Sequence, residues 1–169
     1  VRYPYRYGSR RCHAPGIGVC WFGACADEFE YVMLHDGARP LISRELVDHT
    51  ISVLKGNIDC DGVIVGHPAV DTLKIVEDGV IMGTPDRRVF WDAQTPQVFR
   101  TGIYRRAHAS ALSDGFVGTD DSSLIERLGG KVLVVEGKRN NIKLTVPEDY
   151  LIIQRRCARH CAKVSSRWR

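Results

Sequence analysis

The sequence has no apolar run approaching the ~20 residues that a membrane-spanning helix needs, and no internal repeat. It also lacks a charged, apolar and small-residue series of the secretory type at its start. We therefore expect a cytoplasmic protein without a membrane span. No C-x-x-C pair occurs among its six cysteines, which we interpret as reduced thiols. A zinc site using Cys157, His160 and Cys161 is the alternative.

Strong bias in composition is also missing, and this excludes several protein classes. Hydrophobic residues make up 44% and charged residues 26% of the 169 positions, which argues against wholesale disorder. The length fits one domain with a sizeable core.

The net charge of +4 comes from the ends of the chain. Residues 32–154 carry 14 basic and 17 acidic side chains, whereas residues 155–169 carry six basic and no acidic ones. A basic end is usually a solvated terminus, so the pattern disfavours nucleic-acid binding. The alternative, phosphate contact by the ends, predicts salt-dependent binding that disappears when residues 155–169 are removed.

Hydrophobic patterning predicts an α/β fold from Glu30 onward. Short apolar runs predict strands at 31–34, 62–66 and 131–135, and the first two flank a helix that Ser43 caps. Such a strand–helix–strand unit predicts a right-handed crossover and a mainly parallel sheet. Further helices are expected at about 101–112, at 120–129 with Thr119 as N-cap, and from Pro147 onward.

Residues 73–82 have the pattern of a β-hairpin. Apolar runs flank Asp78-Gly79, a pair that supplies the positive φ angles of a tight turn. A hairpin inserted into a βαβ chain often projects as an arm, and we expect an arm over about 73–99 that makes dimer contacts.

The segment HDGARP follows the first strand, where open α/β sheets bind ligands. Asp36 can hold a divalent cation, Gly37 lets a ligand approach the backbone, and Arg39 can contact phosphate. On spacing alone, a strand-end turn with an internal Asp36–Arg39 ion pair explains the segment equally well.

Three further polar blocks fall at or near strand ends. They read PAVDTLK at 68–74, PDR followed by FWDAQTPQVF over 85–99, and GTDD at 118–121 together with NNIKLT at 140–145. Singly they are weak signals, since Thr119 can be a mere helix cap and Lys143 a strand-edge charge. Together they supply the hydroxyl, Arg and Lys groups that surround an anionic phosphate ester.

The order of five sequence blocks along the chain indicates a family. The blocks are HDGARP, PAVDTLK, PDR…FWDAQTPQVF, GTDDSSLIE and VEGKRNNIKLTVPED. From about Val32 to Asp149, the chain resembles the 2-C-methyl-D-erythritol 4-phosphate cytidylyltransferases of the non-mevalonate isoprenoid pathway. The related ribitol 5-phosphate cytidylyltransferases share part of the pattern, but the sequence Asp71-Thr72-Leu73-Lys74 favours the methylerythritol family. The resemblance implies a Rossmann-like nucleotidyltransferase sheet.

The resemblance also implies roles for individual residues. Positions at the nucleotide, its Mg²⁺ ion and the incoming phosphate are matched by Asp36, as metal ligand, and by Gly37 and Arg39. Positions at the methylerythritol phosphate are matched by Thr72, Thr119 and Lys143. Positions that reach the partner subunit's substrate in a homodimer are matched by Arg87 and Thr95. Lys143 and Arg87 are the implied catalytic residues.

The implied reaction is attack of the methylerythritol phosphate on the α-phosphorus of CTP, with pyrophosphate as the leaving group. Such an in-line displacement between anions depends on Mg²⁺ and on fixed Lys and Arg side chains.

One family feature is absent from residues 1–26. The glycine-rich triphosphate loop and its basic residues have no counterpart there beyond Gly16-Ile17-Gly18. We hypothesise that residues up to about Cys25 are an out-of-frame translation, which the coding DNA can test. The expected organisation is a non-native segment at 1–26, a nucleotidyltransferase body at 27–154 whose sheet is incomplete on its N-terminal side, and a basic tail at 155–169. The alternative to an enzyme is a non-catalytic, dimerising fragment.

Overall fold

The computed structural model describes residues 29–166, and side chains as far as residue 156. The hypothesis about residues 1–26 concerns a segment outside the described residues. The alternative zinc site concerns side chains beyond residue 156, which are also not described. Six strands are described: β1 (Tyr31–Leu34), β2 (Gly62–Pro68), β3 (Ile75–Glu77), β4 (Val80–Gly83), β5 (Trp91–Arg100) and β6 (Val132–Glu136). The helices are α1 (Arg44–Gly56), α2 (Thr101–Ser113), α3 (Asp121–Arg127) and α4 (Pro147–Ser166), with a 3₁₀ turn at Arg87–Val89.

The main sheet is mixed and has the strand order β1-β5-β2-β6. β5 runs antiparallel to both β1 and β2, and β2 runs parallel to β6. The strands β1, β2 and β6 therefore point the same way, so their carboxyl ends meet at one edge. The predicted α/β class is confirmed, and the sheet is parallel except for β5.

β5 corrects the predicted extent of the arm. Residues 91–99 were expected in the arm over 73–99, but they form the central strand of the main sheet. The ladder breaks within this strand, because Ile64 pairs with Gln97 whereas Val65 pairs with Gln94. The extra residues, Thr95 and Pro96, form a bulge that interrupts the alternation by which a strand is recognised.

Helices cover both faces of the sheet. On one face, Leu54 of α1 packs against Val63 and Val65 of β2, and all three are fully buried. On the other face, Phe99 of β5 packs with side chains of α2 and α3, among them Tyr104, Ala107 and Ile125. The two apolar clusters hold the strand ends in fixed relative positions.

Helix caps are local, and the structure confirms one prediction and corrects another. Ser43 caps α1, with its Oγ accepting a hydrogen bond from the Leu46 amide at 3.3 Å. Thr119 is not the cap of α3. Asp120 takes that position, and its carboxylate accepts from the Ser123 amide at 3.0 Å. Thr119, left out of the cap, is exposed.

The hairpin is confirmed as a two-stranded sheet of its own. Asp78 and Gly79 have φ angles of 47° and 80°, as a tight turn with two left-handed residues requires. Its apolar side chains are each more than half exposed: Ile75, Val76, Val80, Ile81 and Met82. Within residues 29–166, no helix combines the length and apolarity needed to cross a bilayer.

Gly62, at the start of β2, gives a test of the packing on the α2 side. A Cβ at this position would collide with the ring of Phe99, which is fully buried. We expect Gly62→Ala to lower the free energy of unfolding in urea by about 1–3 kcal/mol, the usual cost of overpacking. Gly56→Ala is the matched control, because its added methyl group would meet no described residue outside its own helical turn within 4 Å, and α1 should keep its stability. Equal stability of the two variants would contradict the described packing.

Candidate functional site

A charged cluster follows β1, at the edge where the parallel strands end. The Oδ2 atom of Asp36 lies 3.2 Å from Nε of Arg39 and 3.1 Å from Nζ of Lys143. One carboxylate facing two cations leaves a single excess positive charge. The Lys143 side chain is 46% exposed, so it can also meet a ligand from solvent. This arrangement suits an anion such as a phosphate.

The loop that carries Asp36 is fastened to β5 through Thr95. The Asp36 amide donates to Thr95 Oγ1 at 3.0 Å, and the same oxygen lies 2.9 Å from Nδ1 of His35. The other ring nitrogen of His35 lies 3.0 Å from the carbonyl oxygen of Arg39. Since a carbonyl only accepts, Nε2 carries a proton, and in a neutral ring Nδ1 accepts from the Thr95 hydroxyl. The bulge in β5 thus holds the start of the loop directly, and His35 connects that start to the carbonyl of Arg39.

The segment that carries Lys143 is fastened to the same loop and strand. Arg39 donates to the carbonyl oxygen of Asn141 at 2.7 Å, and the Leu144 amide donates to the carbonyl oxygen of Ala38 at 2.8 Å. The buried side chain of Asn141 donates to Gln94 Oε1 at 3.1 Å and to the carbonyl oxygen of Thr95 at 2.8 Å. Gln94 and Asn141 were not among the predicted site residues. Both stand inside the sequence blocks quoted above, but nothing local marks an amide as buried.

The structure unites Asp36, Arg39, Thr95 and Lys143, four of the eight predicted site residues. Gly37 borders them on an open side, since no described residue other than its chain neighbours has an atom within 4 Å of where its Cβ would be. Thr119 is connected only indirectly to β5, the strand that carries Thr95. Its neighbour Asp120 accepts a hydrogen bond from the side chain of Gln97 in that strand at 2.9 Å.

Thr72 and Arg87 are not among these contacts, and they lie at the base of the hairpin. Thr72 is exposed in the segment between β2 and β3. Arg87 lies on the 3₁₀ turn before β5 and donates to the carbonyl oxygen of Val70 at 2.5 Å. Neither makes a described hydrogen bond or ion pair with Asp36 or Lys143.

A cation at this site would have few protein ligands. Within the described residues, no group of three or more His, Cys, Asp and Glu side chains converges on one point. The described contacts of the Asp36 carboxylate fall on Oδ2, which leaves Oδ1 for a metal ion. Mg²⁺ commonly binds through one or two carboxylates plus the phosphates of its substrate, so the residues present fit it.

Comparison with known proteins identifies the family to which this chain belongs. The sequence model of the family IspD, 2-C-methyl-D-erythritol 4-phosphate cytidylyltransferase, matches residues 8–157. The enzyme of that name from Syntrophotalea carbinolica is 51% identical over 132 residues, which are 78% of this chain and 55% of the relative. The one from Geobacter metallireducens is 43% identical over 147 residues, covering 87% and 62%, respectively. This chain belongs to the 2-C-methyl-D-erythritol 4-phosphate cytidylyltransferase family.

Solved structures of this family share the fold described above. The crystal structure of 4-diphosphocytidyl-2C-methyl-D-erythritol synthase from Anaerococcus prevotii superposes with a TM-score of 0.74 at 34% identity. The superposition covers 88% of this chain and 67% of that one. The fold class predicted from the resemblance is therefore confirmed. The chain spans about half the length of the curated relatives it matches.

Carboxylates near the site residues have pKa values below their ordinary range. The Asp149 carboxylate accepts from the Thr145 and Val146 amides and the Thr145 hydroxyl, at 2.8–3.0 Å, and these bonds lower its pKa. At the base of the hairpin, the side chain of Arg88, and then its amide, lower the pKa of Asp86. The Asp149 contacts join the start of α4 to the segment that carries Lys143.

This shift predicts how stability depends on pH. The folded state lowers the pKa of Asp149. The ionised carboxylate therefore makes its full contribution to the free energy of unfolding when the pH is above the ordinary carboxyl pKa of about 3.9. The contribution disappears as the pH falls through the lower folded value. We expect Asp149→Asn to reduce the free energy of unfolding at pH 7 and to differ less from the parent at pH 3. Glu148→Gln, in the same helical turn, is the control. A pH-independent Asp149→Asn effect would refute the proposed cause.

Proposed function

We propose that this protein transfers a cytidylyl group from CTP to 2-C-methyl-D-erythritol 4-phosphate. The observation that carries the proposal is the Asp36–Arg39–Lys143 cluster, which lies on the sequence blocks that the family shares. The relatives described above are named for the same reaction. None of them carries a ribitol name, so the methylerythritol substrate is preferred over ribitol 5-phosphate.

The cluster addresses the main obstacle to this reaction, which is repulsion between two phosphate-bearing reactants. Lys143 and Arg39 bring two positive charges to one carboxylate, and the excess charge attracts a phosphate group. A phosphate oxygen of the acceptor attacks the α-phosphorus of CTP. The new phosphorus–oxygen bond forms as the bond between the α-phosphorus and its bridging oxygen breaks, and that oxygen leaves with pyrophosphate. The chemistry requires no covalent enzyme intermediate.

Mg²⁺ is the cofactor that we propose for the site. The Oδ1 atom of Asp36 is the protein ligand that the geometry offers. When bound, the ion would neutralise phosphate charge on the nucleotide and so favour departure of pyrophosphate. Lys143 and Arg39 hold the carboxylate in place from the opposite oxygen, so that Asp36 keeps one orientation.

We also infer that two copies of the chain associate through the hairpin. Five apolar side chains exposed on one two-stranded sheet form a surface of the kind that is buried in interfaces. Thr72 and Arg87 lie at the base of this hairpin and make no described hydrogen bond or ion pair with the Asp36 cluster of their own chain. Association would supply a second copy's site for them, in the role that the family resemblance implies. The cytoplasmic location remains a prediction.

Release of pyrophosphate tests the reaction directly. With CTP and Mg²⁺, we expect release in the presence of methylerythritol phosphate and none with ribitol 5-phosphate. Lys143→Ala should reduce the rate by roughly 10²–10³, as the loss of one preorganised charge contact does. Lys131→Ala is the control, because Lys131 is exposed at the opposite end of β6. A folded chain that releases no pyrophosphate with either sugar would refute the proposal and leave the non-catalytic reading.

Sedimentation tests the association. We expect a dimer for the parent chain and a monomer for Ile81→Glu, since a charge at this exposed hairpin position would be buried in the interface. Val117→Glu is the matched control, because Val117 is similarly exposed in the loop between α2 and α3 and should leave the dimer intact. A monomeric parent, or an Ile81→Glu dimer, would exclude association through the hairpin.

A further inference from the structure

Asn141 is the most enclosed polar side chain next to the charged cluster. It is 1% exposed, although it lies in an irregular segment only two positions before the half-exposed Lys143. Burial of an amide outside regular structure is costly unless it is hydrogen-bonded. The hydrogen bonds of the Asn141 side chain therefore indicate its structural role.

The amide of Asn141 connects its segment to the bulge of β5. It donates to Gln94 Oε1 at 3.1 Å and to the carbonyl oxygen of Thr95 at 2.8 Å. The space around Gln94 is tight, because a Cβ on Gly137 would lie 2.7 Å from Gln94 Oε1 and would overlap the Val65 side chain. The amide is thus held on a rigid part of the sheet.

The backbone around Asn141 faces the cluster. Its carbonyl oxygen accepts from Arg39, and three residues later the Leu144 amide donates to Ala38. Lys143 lies between these two attachments, with Nζ 3.1 Å from Asp36. A shift of the Asn141 amide would therefore be passed to Lys143 through one intervening residue.

We propose that Asn141 is a positioning residue, whose buried amide sets the location of the Lys143 ammonium group against Asp36. The β5 bulge supplies the fixed reference, because Thr95 also holds the amide of Asp36. One strand thereby determines both members of the ion pair. The consequence for substrate binding rests on the proposed function, whereas the position of Lys143 does not.

The position of Lys143 can be read from the ¹H–¹³Cε resonance of its side chain, identified by its loss in Lys143→Arg. We expect Asn141→Ala to move this resonance toward that of a free lysine. Asn140→Ala should leave it in place, since the Asn140 side chain makes no hydrogen bond in the described part of the chain. An unmoved Lys143 resonance in folded Asn141→Ala protein would overturn the proposal.

Gln94→Met provides a second variant should Asn141→Ala fail to fold. It removes one acceptor of the Asn141 amide, retains the volume, and leaves the bond to Thr95 intact. We expect a smaller shift of the Lys143 resonance in the same direction. A shift of zero in a folded Gln94→Met protein, with Asn141→Ala unfolded, would also contradict the positioning role.

Affinity for methylerythritol phosphate measures the functional consequence by titration calorimetry. We expect Asn141→Ala to weaken binding roughly tenfold, because a displaced Lys143 would lose about one charge-assisted hydrogen bond to the phosphate of the ligand. In a Lys143→Ala background, the same substitution should have little further effect, because the amide acts through Lys143. Additive losses would overturn the proposal. A parent chain that does not bind this ligand would refute the proposed substrate, while the resonance shift would still decide the role of Asn141.

Discussion

The site depends on one carboxylate oxygen that faces two cations. Oδ2 of Asp36 holds the guanidinium of Arg39 and the ammonium of Lys143, which come from segments about a hundred residues apart in the chain. Without Asp36, two positive charges would repel each other at a half-exposed strand end. With it, they remain close and retain one excess charge for an anion. The local requirement is therefore to bring three chain segments together accurately: the loop after β1, the segment after β6, and β5, which supports both.

β5 meets this requirement because it is central and antiparallel. Its neighbours β1 and β2 end at the edge where β5 enters the sheet, so the Thr95–Pro96 bulge lies beside the loop that follows β1. Apolar packing on both faces fixes the strand: Val98 faces the α1 side and Phe99 the α2 side, and both are almost fully buried. The polar site is consequently attached to a strand that is packed on both faces, as preorganised electrostatics requires.

Sequence reasoning succeeded where the signal is local. The strands at 31–34 and 62–66, the Ser43 cap and the Asp78-Gly79 turn each follow from side chains within a few positions of one another. It failed where the outcome depends on tertiary contacts. The bulge at Thr95 conceals β5 as a sheet strand. The Thr119 cap was wrong for a local reason, because the adjacent Asp120 takes the cap position and accepts from the Ser123 amide. The ion pair of Asp36 with Arg39 was predicted as one of two interpretations, whereas the second ion pair of Asp36, with Lys143, was not predicted.

The geometry of β5 also links the hairpin to the site. The strand begins at Trp91, directly after the 3₁₀ turn that carries Arg87, and reaches Thr95 four residues later. The Ala69 amide donates to the Phe90 carbonyl oxygen, which closes the base of the hairpin against the end of β2. A force applied at the hairpin would therefore act on the same strand that holds Asp36 and Asn141. Association through the hairpin and the geometry of the charged cluster thus depend on one structural element, because β5 follows the hairpin within eight residues and its bulge contacts Asp36.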